Sequence, residues 1–271
     1  MPAYCKQLIS GLDAISFRNI DYAVMGCVFD SQNTIGCLAD ERVYQSDLVQ
    51  RIQSRGLSAK AEVLITLEHK SFVKQLYLDL LVDDCAIYEL KVVSELNSNH
   101  ISQLLTYLYL LDLPHGKLVN FRTRSVEHQF VNAPVPRSNR VGFSVNDSEF
   151  TGEPRFRDIV VDLIRDWGTC LSTSLYHDAI LKLVTGKDMG VLVPLTIGQK
   201  RISSQRFFLI DADSSVEVTT FKTHDFNYQS QLQKLLKISP LKTIHWVNIG
   251  THCVTFNSVQ STTNQTSAST C

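Results

Sequence analysis

Leu78-Asp79-Leu80-Leu81-Val82-Asp83-Asp84-Cys85-Ala86-Ile87-Tyr88-Glu89-Leu90-Lys91 reads as two apolar strands joined by a tight hairpin at Asp83-Asp84. Asp79 is embedded in one strand. Glu89 and Lys91 lie two apart in the next and so point to the same face. The hairpin brings Asp79 alongside them. Two carboxylates and an ammonium on a half-buried face lose hydration, and such groups are usually kept apart unless a cation compensates. Two carboxylates plus a backbone carbonyl suit a hard cation, Mg²⁺ or Mn²⁺, that keeps several of its waters. A lysine beside them can hold a water or hydroxide and neutralise charge developing on phosphate, which is the logic of metal-assisted phosphodiester hydrolysis. The plainer reading of the same spacing is an exposed strand face on which Glu89 and Lys91 form a charge pair.

Working outward, residues 38–54 read as a helix with Leu48, Val49 and Ile52 on one stripe, ended by Gly56. Three β-rich runs follow at 61–68, 73–82 and 85–93. A helix from Asn97 to Leu113 puts Ile101, Leu104, Leu105 and Leu108 inward, with Asn97 or Ser98 as cap. Two short strands, 117–122 and 125–131, complete a first unit. The stretch from Asn132 to Pro154 is rich in Pro, Asn, Ser and Gly and reads as a linker, residues 133–155. After it the same order returns: helices in 156–184, strands near 189–197, 205–211 and 215–222, a helix 226–237, and strands 243–249 and 252–258. Shifting the chain by 128 positions lays 61–126 on 189–254 without a gap, with about 15 of the 66 pairs identical. Ser102-Gln103-Leu104 falls on Ser230-Gln231-Leu232, and Val119-Asn120 on Val247-Asn248. A shared hydrophobic pattern does not demand polar identities, so this reads as an internal duplication. By the same shift Asp79 meets Phe207, Lys91 meets Thr219, and Glu89 alone keeps a carboxylate, in Glu217. The second unit, at 156–259, is therefore expected to be a catalytically empty copy, followed by an unstructured Ser/Thr-rich tail from 260 to 271.

The chain has 271 residues, with 26 Lys plus Arg against 27 Asp plus Glu. The formal net charge of -1 argues against a basic coat for nucleic acid and leaves room for one local basic groove. Arg51, Arg55, Lys60, Lys70, Lys74, Arg122, Arg124, Arg137 and Arg140 in or next to the first unit, with Lys200, Arg201 and Arg206 of the second, are candidates for it. No apolar run approaches the roughly 18 residues of a membrane span. The first residues show no secretory pattern, so a cytoplasmic protein without membrane contact is expected. Seven scattered cysteines without a C-x-x-C pair read as free thiols. Walker, G-x-G-x-x-G and G-x-S-x-G motifs are absent, and no histidines are spaced for zinc.

The pattern Asp79-x9-Glu89-Leu90-Lys91, followed by His100-x2-Gln103-Leu104-Leu105-Thr106-Tyr107-Leu108 and Leu118-Val119-Asn120-Phe121, resembles the PD-(D/E)XK nuclease superfamily. More narrowly it resembles the GxxExxY protein family. Gly36-x4-Glu41-x2-Tyr44 is similar to the motif that names that family, with two extra residues before Glu41. The resemblance covers about residues 22–132, within a nuclease-like domain at 1–132. It implies an α/β fold of two tandem restriction-endonuclease-like αβββαββ units, each a mixed central sheet flanked by helices, the second degenerate. It also implies roles. Asp79, Glu89 and the Leu90 carbonyl would hold Mg²⁺ or Mn²⁺, and Lys91 would position or activate the attacking water. Glu41 and Gln103 would assist. His100 and Tyr107 share a helical face with Gln103 and, with Tyr44, are further cleft candidates. The expected activity is metal-dependent cleavage of phosphodiesters, in DNA before RNA. The alternative is an inactive nuclease-fold module that binds nucleic acid or a protein partner. The duplication also suggests an intrachain pseudo-dimer, or a homodimer.

Overall fold

The computed structural model of the chain describes residues 3–221 and 226–261. It divides into two compact units at Ser138/Asn139. Most of the expected tail, residues 262–271, lies outside the described residues.

In the first unit, β1 (Ala3–Cys5) precedes helices α1 (Ala14–Ile35) and α2 (Glu41–Ser54). Strands β2 (Ala59–His69), β3 (Phe72–Val82) and β4 (Ala86–Lys91) follow, then α3 (Ser98–Leu110), β5 (His115–Asn120), β6 (Glu127–Asn132) and the short α4 (Arg137–Val141) at the boundary. The sheet order is β1-β2-β3-β4-β5-β6. Only β4–β5 is parallel, because α3 forms the crossover between them. Asp83 and Asp84 both have positive φ, 49° and 53°, in the three-residue connection between the paired Val82 and Ala86, where the Cys85 N–H returns to the Val82 carbonyl at 3.1 Å. One core lies between the sheet and α1 and α2, with Phe17, Val24, Tyr44, Leu48 and Ile52 against Leu80, Val82, Tyr88 and Leu90. The other lies under α3, with Leu104, Tyr107 and Leu108 against Leu81, Ile87 and Leu118.

The second unit has β7 (Ser144–Glu149), α5 (Pro154–Trp167), α6 (Thr173–Thr185), β8 (Val191–Ile197), β9 (Lys200–Leu209), β10 (Ser214–Thr219), α7 (Phe226–Ile238), β11 (Thr243–Ile249) and β12 (Cys253–Gln260). Its sheet runs β7-β12-β11-β10-β9-β8. The 128-residue shift holds in the pairing of the later strands, Glu89↔Leu118 becoming Glu217↔Trp246 and Asn120↔Glu127 becoming Asn248↔Thr255, whereas β8 and β9 are slipped by one residue, Val63↔Leu78 giving way to Val191↔Phe207. The two units are thus tandem αβββαββ-like folds. The helix pairs obey a different offset. Tyr44 donates its hydroxyl to the Gly36 carbonyl at 2.6 Å, and Tyr176 does the same to Gly168 at 2.6 Å. Both glycines end a helix at positive φ, 85° and 84°. That correspondence is 132 residues, because β2 starts at Ala59, four residues before Val63, the equivalent of the first residue of β8, Val191.

Two features differ from the sequence expectation. The stretch 133–155, expected as a linker, carries α4 and β7, and β7 pairs in parallel with β12 as an edge strand. Its composition, Ser-Val-Asn-Asp-Ser-Glu, has the polar character of an edge rather than a core strand. Helix α1 is also largely outside the earlier pattern. Its buried face includes Ser31 and Gln32 while Ile15, Tyr22 and Phe29 are exposed, so its amphipathic period is blurred. The six described cysteines are free thiols. No helix among the described residues is long and apolar enough to cross a membrane.

Candidate active site

The β3–β4 ladder pairs Val82↔Ala86, Leu81↔Ile87 and Leu80↔Tyr88, then stops. Beyond it the strands part, and the Leu90 N–H, deprived of a ladder partner, is accepted by Asp79 Oδ2 at 2.8 Å. Lys91 Nζ sits at this split. It donates to Glu89 Oε1 at 2.6 Å and to the Leu90 carbonyl at 2.8 Å, and lies 3.6 Å from Asp79 Oδ2. The Glu89 side chain is fully buried, and those of Lys91 and Asp79 are 12% and 14% exposed. Sequence position therefore places Asp79, Glu89, Leu90 and Lys91 together.

Burial drives the electrostatics of this group. It raises the Glu89 carboxyl to about 8, with the neighbouring Asp79 charge adding to the rise and Lys91 opposing it. Burial also raises Asp79, against Lys91 and the Leu90 N–H. Lys91 is held above its ordinary value: Glu89 and Asp79 outweigh its own burial. Glu41, the first residue of α2, is raised by burial, with Lys91 opposing and Asp79 and Glu62 adding, so it senses the charges of the same group.

Of the α3 candidates, Tyr107 belongs near the site. Its hydroxyl is pushed up to about 12 by burial and then by Glu89, and it accepts from Gln103 Nε2 at 3.3 Å. Gln103 is thereby tied to the centre through Tyr107. His100 has a helix-end role: its Nδ1 accepts the Asn97 N–H at 3.1 Å, while Asn97 Oδ1 accepts the N–H groups of Asn99 and His100. Tyr44 is in the core, fully buried and stacked on Phe121 with ring centroids 4.3 Å apart. Several proposed phosphate-binding cations are already engaged: Arg51 with Asp47, Arg55 with Asp30, Lys60 with Asp84, and fully buried Arg140 with the Trp167 carbonyl.

Two residues at the centre escaped the sequence reading. Buried Gln45 donates Nε2 to the Asp79 carbonyl at 2.8 Å and reaches Glu62 Oε1 at 3.4 Å. Its signal was available, since it lies four residues after Glu41 on the same helical face. Glu62 lies on β2 between Ala61↔Leu80 and Val63↔Leu78, opposite Asp79, yet that one pair is missing from the ladder. Glu62 has φ 52°. The strands change faces there: Ala59, Leu80 and Val82 join the core under α1 and α2, whereas Val63, Ile65 and Leu78 join the core under α3.

Among the described residues no group of three or more His, Cys, Asp or Glu side chains is drawn together as a metal-ligand set. The donors that are present still fit one hydrated hard cation. Glu89 Oε2 is buried without a hydrogen-bond partner. Its neighbour is the Asp79 carboxylate, another acceptor, so a proton, a donating water or a cation between them is needed to satisfy both. Two carboxylates and the Leu90 carbonyl suffice for a cation that retains waters.

The corresponding place in the second unit is built differently. The Val218 N–H, equivalent to that of Leu90, is accepted by His177 Nε2 at 2.8 Å. His177 is lowered to about 4 by burial and stacks on Phe208 at 4.5 Å. Thr219, in the place of Lys91, accepts the Trp246 indole N–H and donates to Asn248. Glu217 accepts the Tyr228 hydroxyl at 2.7 Å. This unit lacks the catalytic pattern.

The family model of the PD-(D/E)XK nuclease superfamily matches residues 18–132. Neither the curated proteins nor the solved structures yield a match.

Proposed function

We propose that this PD-(D/E)XK nuclease-superfamily domain, residues 18–132, hydrolyses phosphodiester bonds with Mg²⁺ or Mn²⁺, with DNA as the favoured substrate. The observation that carries the reading is Glu89: a fully buried carboxylate with an orphaned oxygen beside a second carboxylate and a lysine. Such a group is costly in a purely structural site and is relieved by a cation. When bound, a divalent ion supplies Lewis-acid polarisation and a more acidic water. Asp79, Glu89 and the Leu90 carbonyl would hold it. Lys91, donating to Glu89 and the Leu90 carbonyl, is placed to orient a water and to offset charge on the attacked phosphate. Glu41 adds negative potential from the start of α2, and Gln103 with Tyr107 closes the α3 side. We read Gly36-x4-Glu41-x2-Tyr44 as the GxxExxY motif: the Tyr44 hydroxyl clamps the Gly36 carbonyl, and Glu41 between them is directed to the centre. The second unit would contribute no chemistry.

The test is cleavage of linear and circular duplex DNA, single strands and RNA with Mg²⁺, Mn²⁺ or EDTA, using wild type, Asp79→Ala and Lys91→Ala. Metal-dependent cutting that both substitutions abolish supports the enzyme. Identical behaviour of all three proteins overturns it and leaves a nuclease-fold binding module.

A further inference from the structure

The change of faces at residue 62 asks for an unusual backbone but not for a glutamate, since glycine would take a positive φ without strain. A glutamate with φ 52° in the middle of an 11-residue strand is costly, because its Cβ crowds the backbone there. The Glu62–Asp79 pair is lost from the ladder while both flanking pairs form. The Asp79 carbonyl is supplied by the Gln45 amide instead. The side chain is exposed, so burial is not the return. Its Oε1 lies 3.4 Å from the Gln45 amide nitrogen that also serves the Asp79 carbonyl, and its charge raises the proton affinity of Asp79 and Glu41.

The internal duplication sorts positions by purpose. Those that serve the fold keep their residue: Gly36 and Gly168, Tyr44 and Tyr176, Asn120 and Asn248. At the centre three positions lose theirs, Glu41 becoming Thr173, Asp79 Phe207 and Lys91 Thr219, whereas Glu89 keeps a carboxylate in Glu217 and Gln103 remains Gln231. Glu62 sorts with those three. Its counterpart is Gly190, where an added Cβ would lie 2.7 Å from the carbonyl oxygen of Phe207, the counterpart of Asp79. In the second unit Phe207 pairs with Val191 instead, one residue out of the register of the first unit, and the carboxylate is gone. The orphaned, fully buried Glu89 Oε2 beside Asp79 is the independent sign that a cation belongs in this group.

We propose that Glu62 is a positioning residue of the cation centre, holding waters of a hydrated divalent ion bound at Asp79 and Glu89. An exposed carboxylate at hydrogen-bonding range of coordinated waters orients them and adds to affinity. This rests on the metal-dependent reading above.

The experiment is Mn²⁺ binding, followed by the free-ion paramagnetic resonance signal, for wild type, Asp79→Ala, Glu62→Gln and Glu62→Gly. Glu62→Gln keeps size and removes charge, and is expected to weaken Mn²⁺ binding roughly 10-fold. Glu62→Gly relieves the left-handed backbone, so its Tm is expected to match or exceed that of wild type while Mn²⁺ binding is weakened equally. That divergence is one a structural role would not produce. Unchanged Mn²⁺ affinity in Glu62→Gln, with loss in Asp79→Ala, overturns the role of Glu62 and leaves the centre standing. Wild type that binds no more Mn²⁺ than Asp79→Ala overturns the centre, and the proposal with it.

Discussion

The backbone N–H groups of Leu90 and Val218 occupy the same point in the two sheets, and each is met at 2.8 Å by a different kind of side chain. Asp79 Oδ2 reaches Leu90 from the neighbouring strand, and His177 Nε2 reaches Val218 from a helix. The sheet opens at this point in both units, so the freed donor must be answered locally. The first unit answers it with a charge that can also hold a cation, the second with a neutral imidazole.

His177 must stay neutral to accept that N–H. Its pKa is lowered to about 4 from an ordinary 6.5, burial being the main cause. Below 6.5 the unfolded chain therefore takes up a proton that the folded chain refuses. The stabilisation is complete above 6.5 and fades as pH falls toward 4. Trp167 and Trp246 both lie in the second unit, so tryptophan fluorescence reports on it alone. The urea midpoint read this way is expected to fall on acidification through that window. His177→Ala should lower it at neutral pH by about 1–3 kcal/mol, the cost of an unanswered N–H, and should flatten the pH response.

Glu89 has the opposite slope. Its carboxyl is raised from 4.5 to about 8, first by burial and then by Asp79. Between those values the folded chain holds a proton that the unfolded chain has lost. Stability of the first unit in EDTA is then greatest at the acidic end and falls as pH rises toward 8. Calorimetry should show this decline, with Mg²⁺ countering it at the alkaline end and Glu89→Gln largely removing it.

Tyr44 and Tyr176 make the same hydrogen bond in the two units. Tyr44→Phe and Tyr176→Phe should each cost about 1 kcal/mol in urea unfolding. For Tyr44→Phe the rate of phosphodiester cleavage should be retained, because its hydroxyl is spent on the Gly36 carbonyl within the core. A large loss of turnover without loss of stability would assign Tyr44 to the cleft.

Asn120 accepts the Val93 N–H at 3.0 Å and donates to the Val93 carbonyl at 2.8 Å, while Asn248 does the same for Phe221 at 2.8 and 3.2 Å. Each bridges the end of a central strand to its parallel neighbour, both backbone groups having lost the ladder. Asn120→Ala and Asn248→Ala should each destabilise by about 1–3 kcal/mol. Only Asn248→Ala should move the tryptophan-monitored transition directly.

The duplicated order of elements, the hairpin at Asp83-Asp84 and the meeting of Asp79, Glu89 and Lys91 were legible in the sequence. All depend on local rules: the period of two along a strand, turn chemistry at adjacent aspartates, and polar identities repeated at a constant offset. Those rules also explain what was not legible. Helix α1 carries Ser31 and Gln32 inward and Tyr22 outward, so no clean period marks it. Strand β7 is polar and set among prolines, and only pairing with β12 makes it a strand. Arg51, Arg55 and Lys60 looked available for phosphate until Asp47, Asp30 and Asp84 were brought against them.

The sequence by itself determined that two αβββαββ-like units stand in tandem and that only the first carries Asp79, Glu89 and Lys91 together. Tertiary structure decided which of those residues share one environment. It drew in Gln45 and Glu62, sent Tyr44 to the core and His100 to a helix end, and left Glu89 Oε2 without a partner. The reason is physical. Strand and helix periods assign a side chain to a face. Where strands part, and which donors and acceptors then lack a partner, depends on contacts between elements distant in the chain.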